Sequence, residues 1–142
     1  MHKMLRIVPF FLLLALLLSG CTLYSRLINA ADKLPVQEYL NAVSAGDAQA
    51  FERYLHPSVQ PSEEELPGKL KAAQDFFAGR TVTEVNCTSV SVTNNLSLAG
   101  KQKITQSDYI LTMSDGSKLL LRVEYLSDSR GEGFTIIRAD ES

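Results

Sequence analysis

Few side chains in this 142-residue chain can carry chemistry, and most of them stand apart in sequence. Outside the first twenty residues there is one histidine, His56, and beyond Cys21 one cysteine, Cys87. An imidazole titrates near neutral pH and is the natural proton carrier; tyrosines and carboxylates at Tyr39, Tyr54, Tyr109 and Asp108 are the groups that could act with it as acids or bases. Zinc chemistry needs several ligands at short spacing, and neither His56 nor Cys87 has such a partner. Each candidate also has an ordinary structural reading. His56 falls in the last turn of an expected helix, where a cation on the surface complements the dipole. The tyrosines read as core residues with satisfied hydroxyls, and Cys87, which shares strand parity with Val85, as a small buried residue rather than a reactive thiol. Glu63, Glu64 and Glu65 read as a solvated helix start, not a cation site. No glycine-rich phosphate loop is present, and no cofactor is implied.

A different chemistry is suggested by Leu18-Ser19-Gly20-Cys21 and its setting. Lys3 and Arg6 form a basic start, and Ile7 to Leu18 is a nearly unbroken apolar run before small residues. Twelve residues at about 1.5 Å each reach only about 18 Å, short of the roughly 30 Å hydrocarbon layer, so the run reads as an export signal and not a span. The four residues resemble the lipobox of bacterial lipoproteins. That resemblance implies a diacylglycerol on the Cys21 thiol, recognition of Leu18, Ser19 and Gly20 by the processing enzymes, and cleavage before Cys21. Two acyl chains hold a protein to a bilayer where one binds only marginally. The resemblance therefore places the domain outside the cytoplasm, on the cell membrane or, in a host with two membranes, on the outer one.

Three segments follow: a signal at 1–20, the lipidated cysteine and tether at 21–33, and a domain at 34–142. The tether mixes Tyr24, Leu27 and Ile28 with polar residues; a flexible coil and an extra amphipathic turn are both consistent with it. About 120 residues after the signal suffice for one core. The chain has 14 Lys+Arg and 16 Asp+Glu, and losing Lys3 and Arg6 leaves 12 against 16, a net charge of about −4. Nucleic acid is excluded as a partner, since no basic patch exists to meet phosphate. With Cys21 lipidated, Cys87 has no intramolecular disulfide partner.

The elements that must position these groups follow from spacing. Asp32 caps a first helix with Pro35 in its first turn, a stripe of Val36, Tyr39, Leu40 and Val43, and a stop at Gly46. Asp47 caps a second helix carrying Ala50, Phe51, Tyr54 and Leu55, which Pro57 ends. An extended connector from His56 to Gln60 makes a strand-like contact at Val59. Ser62 and Glu65 have capping-box spacing; either Ser62–Leu66 is a separate turn or one helix is kinked at Pro67-Gly68, and in both cases Leu66, Leu70, Ala73 and Phe77 form the buried stripe.

From Thr81 the period becomes two. Val85 and Cys87 have one parity and Val90 and Val92 the other, which a bulge near Thr88-Ser89 reconciles. Asn94 to Gly100 reads as a loop, and Lys101 to Met113 as the second strand. At Ser114-Asp115-Gly116-Ser117, a three-residue turn with left-handed Gly116 sets Leu111 beside Leu119 and Tyr109 beside Leu121, joining apolar faces; a two-residue turn would not. It also turns Asp108 outward. A last strand, Phe134 to Arg138, follows a polar loop. The fold class is α+β, with N-terminal helices packed on a bent antiparallel sheet of about four strands.

Val36-Gln37-Glu38-Tyr39-Leu40-Asn41-Ala42-Val43, Gly46-Asp47-Ala48-Gln49-Ala50-Phe51 and Gly133-Phe134-Thr135-Ile136-Ile137 are similar to patterns of the nuclear transport factor 2-like, or cone-fold, superfamily. The likeness spans roughly Pro35 to Ala139. It implies a cone used for catalysis, ligand holding or protein contact, without choosing among them. No residue matches a catalytic motif of that family. His56, Tyr39, Phe77 and Tyr109 are the candidate pocket residues. The expected function is a lipid-anchored binding module at the cell envelope whose partners are the membrane and either an envelope protein or a small apolar ligand; a small-molecule isomerase or hydrolase is the alternative. Both monomer and homodimer remain open.

Overall fold

The computed structural model describes residues 34–141. The lipobox residues Leu18, Ser19, Gly20 and Cys21, the tether and the expected Asp32 cap lie outside the described residues. Within them, helices α1 (Val36–Ala45), α2 (Ala48–Arg53) and α3 (Leu66–Phe77) precede strands β1 (Val82–Ser97), β2 (Gly100–Met113), β3 (Lys118–Asp128) and β4 (Gly131–Glu141). The strands form an antiparallel meander in the order β1-β2-β3-β4. One face packs against the helices and the other is open, the α+β arrangement expected from the change of period.

Local signals set the helix ends. Val36, Tyr39, Leu40 and Val43 are buried along α1. Gly46 ends it with φ 68°, a left-handed value that glycine adopts without Cβ strain, and its N–H donates to the Val43 carbonyl. The Asp47 carboxylate then accepts from the Ala50 N–H at 3.0 Å, so one helix stops and the next starts within two residues. The capping box before α3 is formed in both directions: the Ser62 N–H donates to Glu65 at 3.2 Å and the Glu65 N–H to Ser62 Oγ at 3.4 Å. The reading of a separate turn holds, with α3 beginning at Leu66 and Pro67 in its first turn. Leu70 is buried, and Leu66, Ala73 and Phe77 are half-buried against the core.

The strand registers are those that join apolar faces. Leu111 pairs with Leu119 and Tyr109 with Leu121. Met113 N–H donates to the Ser117 carbonyl at 2.9 Å and Gly116 has φ 84°, closing the three-residue turn. Register shifts between Cys87 and Ser89 set Val85 and Cys87 opposite Leu111 and Tyr109, and Val90 and Val92 opposite Ser107 and Thr105, all on one face. The strands run longer than expected. Asn94 to Gly100 is not a loop: the ladder continues to Ser97 opposite Gly100, leaving only residues 98 and 99 as the connection. β4 likewise begins at Gly131. In both hairpin ends small polar residues occupy both faces, so no alternation marks the strand.

The space between helices and sheet is filled. Tyr39, Leu40, Val43, Phe51 and Leu70 from the helices meet Tyr109, Leu111, Met113, Leu119, Leu121, Val123 and Phe134 from the sheet in one buried cluster. The connector joins this framework at Leu55, not at Val59. Leu55 forms a parallel bridge with Phe134 at the free edge of β4, and the His56 N–H donates to the Phe134 carbonyl at 3.0 Å. Val59 is exposed.

Candidate functional site

Four candidate residues separate into three environments. Tyr39 and Phe77 border one groove; His56 and Tyr109 do not. Tyr109 lies in the sheet core, in register with Cys87 and Leu121.

The groove opens where α1, α2 and α3 meet the edge of the sheet near β4, and encloses about 440 Å³. Phe51, Leu55, Phe76, Phe77, Phe134 and Ile137 supply most of its apolar wall, with Val59 and Pro61 from the connector. The helical stripe places Phe77 there, and Phe76 meets it edge-on with ring centroids 5.6 Å apart. Tyr39 packs against Phe51 and Phe134, with centroids at 5.7 and 5.6 Å. Burial pushes the Tyr39 phenol up to about 12, which keeps it neutral at physiological pH. Lys69 and Tyr39 are the titratable residues among those that line the groove, and the Thr135 hydroxyl is engaged with Glu124 at 2.7 Å. Convergent acid and base are missing from that set, while apolar contact surface is extensive.

His56 is the clearest departure from expectation: it is 0% exposed, not a surface cap. The bridge from Leu55 to Phe134 carries it inward at the sheet end beside the β3–β4 turn. Its Nδ1 accepts from the Ser58 N–H at 3.1 Å; since an amide can only donate, the neutral ring carries its hydrogen on Nε2, which donates to Asp128 Oδ1 at 3.1 Å. The Ser58 hydroxyl is 2.7 Å from the same Nδ1. A serine, histidine and carboxylate thus follow one another in hydrogen-bond order, but the single lone pair of Nδ1 is already directed at the Ser58 amide. The arrangement closes a turn and ties the connector to β3 across 72 positions of sequence. Asp128 is held at about 2, below the usual 3.8, first by the Arg130 side chain and then by the Arg130 backbone N–H and His56. Arg130 Nη2 reaches it at 2.7 Å.

The open face, which holds none of the four candidate residues, carries a depression of about 470 Å³. Asp108 faces outward as expected, accepting from Arg122 Nε at 2.9 Å and from Ser89 at 3.2 Å. Gln106 bonds Glu124 at 3.0 Å. Asp108 and Arg122 thus neutralise each other, and the Glu124 carboxylate accepts from the neutral Gln106 amide and the Thr135 hydroxyl. A further hollow of about 570 Å³ lies between α1 and the end of α3, but its polar side chains are turned to the chain itself: Gln74 donates to the Val43 carbonyl and Arg80 to the Phe77 carbonyl. Among the described residues, no three His, Cys, Asp or Glu side chains are grouped to hold a metal.

Sequence reasoning missed Ser58, Asp128 and Arg130, and no local spacing could have supplied a contact between positions 56 and 128. It missed the β4 wall of the groove for the same reason, although the helical stripe placed Phe77 among the candidate residues.

No family model matches the chain, and no curated protein matches it. Among solved structures it is similar to a DUF4783 family protein from Bacteroides ovatus, at 14% identity and TM-score 0.47 over 74% of this chain and 93% of that one. A DUF4783 family protein from Bacteroides fragilis is similar at 16% identity and TM-score 0.48, over 78% and 100%. Neither likeness assigns a role to a residue of this chain.

Proposed function

We propose that this protein is a lipid-anchored module at the bacterial cell envelope, of the cone-fold kind, that holds a small apolar molecule in the groove bordered by Tyr39, Phe76, Phe77 and Phe134. The groove is the observation that carries the binding half of the reading: a concave, largely apolar site with few polar groups is the usual form of a small-molecule site. The Leu18-Ser19-Gly20-Cys21 pattern carries the anchoring half, with Cys21 bearing the diacylglycerol.

The isomerase or hydrolase alternative needs an acid and a base aimed at one substrate atom. Asp108 and His56, the groups that could serve, are on the open face and at the β3–β4 turn, both away from the groove.

Fluorescence of N-phenyl-1-naphthylamine titrated with the purified full chain tests the binding reading. Saturable enhancement is expected, and Ala72→Trp, which fills the groove from an exposed helical position, should weaken it about tenfold, or about 1.4 kcal/mol. No enhancement, or enhancement untouched by Ala72→Trp, rejects the groove. The intact mass of the same chain, taken from a bacterial membrane, reads the anchor: a chain starting at a diacylglyceryl Cys21 supports it and an unmodified one rejects it.

A further inference from the structure

The β1–β2 hairpin outruns the rest of the sheet. Pairing of β2 with β3 stops at Lys103, whereas pairing of β1 with β2 continues to Ser97 opposite Gly100. The β3–β4 ladder runs one residue further, to Asp128 opposite Gly131, so the end of the β1–β2 hairpin stands about 7 Å beyond its neighbours at a strand rise of about 3.3 Å. At this projecting end are the two most exposed large apolar side chains among the described residues, Leu96 at 81% and Leu98 at 111%. A leucine at a turn with no packing partner has only water to face, which is the costly environment for it.

The charge around these leucines is equally distinctive. No acidic residue occurs between Glu84 and Asp108, and the only charges there are Lys101 and Lys103, in a chain whose net charge is −2. Directly opposed residues of an antiparallel pair share a face, so Leu96 lies beside Lys101 and Asn94 beside Lys103, both lysines being exposed. The adjacent β3–β4 turn adds Arg130, which is paired with Asp128, and the acid Glu132. The cationic excess thus belongs to the β1–β2 hairpin itself.

We propose that this tip is a membrane-contacting element, in which Leu98 and Leu96 enter the headgroup–acyl boundary of an anionic bilayer while Lys101 and Lys103 meet the lipid phosphates. Apolar side chains flanked by lysines match the two components of such a surface, a hydrocarbon edge beneath fixed negative charge. A second copy fits less well, since tip-to-tip contact would bring the same lysines together. The inference rests on the anchored reading of Cys21. Twelve residues lie between Cys21 and Leu34, and the thirteen Cα steps that join them reach at most about 45 Å, comparable with the length of β2, so an anchored domain can set this end on the bilayer. Contact at a second point would fix which side of the domain, and so which mouth of the groove, faces the membrane.

The chain contains no tryptophan, so Leu98→Trp introduces a unique reporter. The full chain carrying it is reconstituted into vesicles of phosphatidylethanolamine and phosphatidylglycerol with and without brominated acyl chains, beside Ile136→Trp on the open sheet face. Leu98→Trp should shift to the blue and lose about half its intensity to brominated lipid, as expected of an interfacial side chain. Ile136→Trp should not. Adding Lys101→Gln and Lys103→Gln should reduce that quenching, and so should replacing phosphatidylglycerol by phosphatidylcholine. Equal emission with and without bromine, equal quenching at both positions, or a blue shift that appears in lipid-free detergent and grows with protein concentration overturns the proposal, the last in favour of a second copy. The intact mass of the same sample reads the lipid on Cys21 separately, so failure of the anchor and failure of the hairpin are told apart.

Discussion

Gly133 lies against the backbone of His56 so closely that a Cβ on it would collide with the His56 amide nitrogen and lie 2.7 Å from the His56 Cα. The contact follows from the edge bridge, in which Phe134 donates to the Tyr54 carbonyl at 2.8 Å and accepts from the His56 N–H at 3.0 Å. Neither partner can swing away as a side chain could. Gly133→Ala should therefore destabilise the protein by about 3 kcal/mol or more, through displacement of the connector. Urea unfolding checks this, and a change below about 1 kcal/mol would mean that the connector is not seated on β4.

Gly68 is the opposite case. It sits exposed in the first turn of α3, and a Cβ there would meet nothing within 4 Å. Its helical backbone needs no glycine, so Gly68→Ala should reduce the freedom of the unfolded chain without straining the folded one, raising stability by about 0.5–1 kcal/mol. A lower urea midpoint for this variant would contradict a helix starting at Leu66.

The two glycines mark what could and could not be read from the sequence. Local grammar carries far: Gly46 and Asp47 end and start helices, Ser62 and Glu65 cap each other, and the parity of Leu111 and Leu119 selects the turn at Gly116. In each, the partners are near in sequence or one face must be buried, so a single register satisfies both demands. His56 is different. The sequence sets it in the last turn of a helix, where exposure is favoured, yet α2 stops at Arg53, the Leu55–Phe134 bridge buries it, and its partner is Asp128 on another element. The far hairpin end was misread because Asn94, Asn95, Gln102 and Lys103 carry no alternation to betray a strand with water on both sides. Tyr39 and Phe77 border the groove because they lie on helical stripes that spacing reveals; the β4 wall that completes it depends on contacts that spacing does not encode.

The carboxylate of Asp128 gives a pH signature. Its folded value, about 2, lies below the ordinary 3.8, so the folded state holds the ionised form more strongly than the unfolded chain does. The sign follows: this contribution is full above about 3.8 and is lost as pH falls toward about 2. Asp128→Asn removes the charge at constant size. The gap in urea midpoint between wild type and Asp128→Asn should be widest near neutral pH and should close between about pH 4 and 2. A gap that stays constant through that range would mean the Arg130 and His56 contacts do not favour the charged form.

Ser107 is 2% exposed on the packed face of β2, and its Oγ has no hydrogen-bond partner among the described residues. Its neighbours in register are Val90 and Val123. A hydroxyl removed from water without a replacement partner opposes folding, and deleting one oxygen leaves a void smaller than a methyl group. Ser107→Ala should accordingly be neutral or stabilise by up to about 1 kcal/mol, unlike most changes at so buried a position. Thermal and urea unfolding measure it. A loss above about 1 kcal/mol would reveal that the hydroxyl is satisfied after all, most simply by a buried water bridging to the backbone beside Thr105 and Ser107.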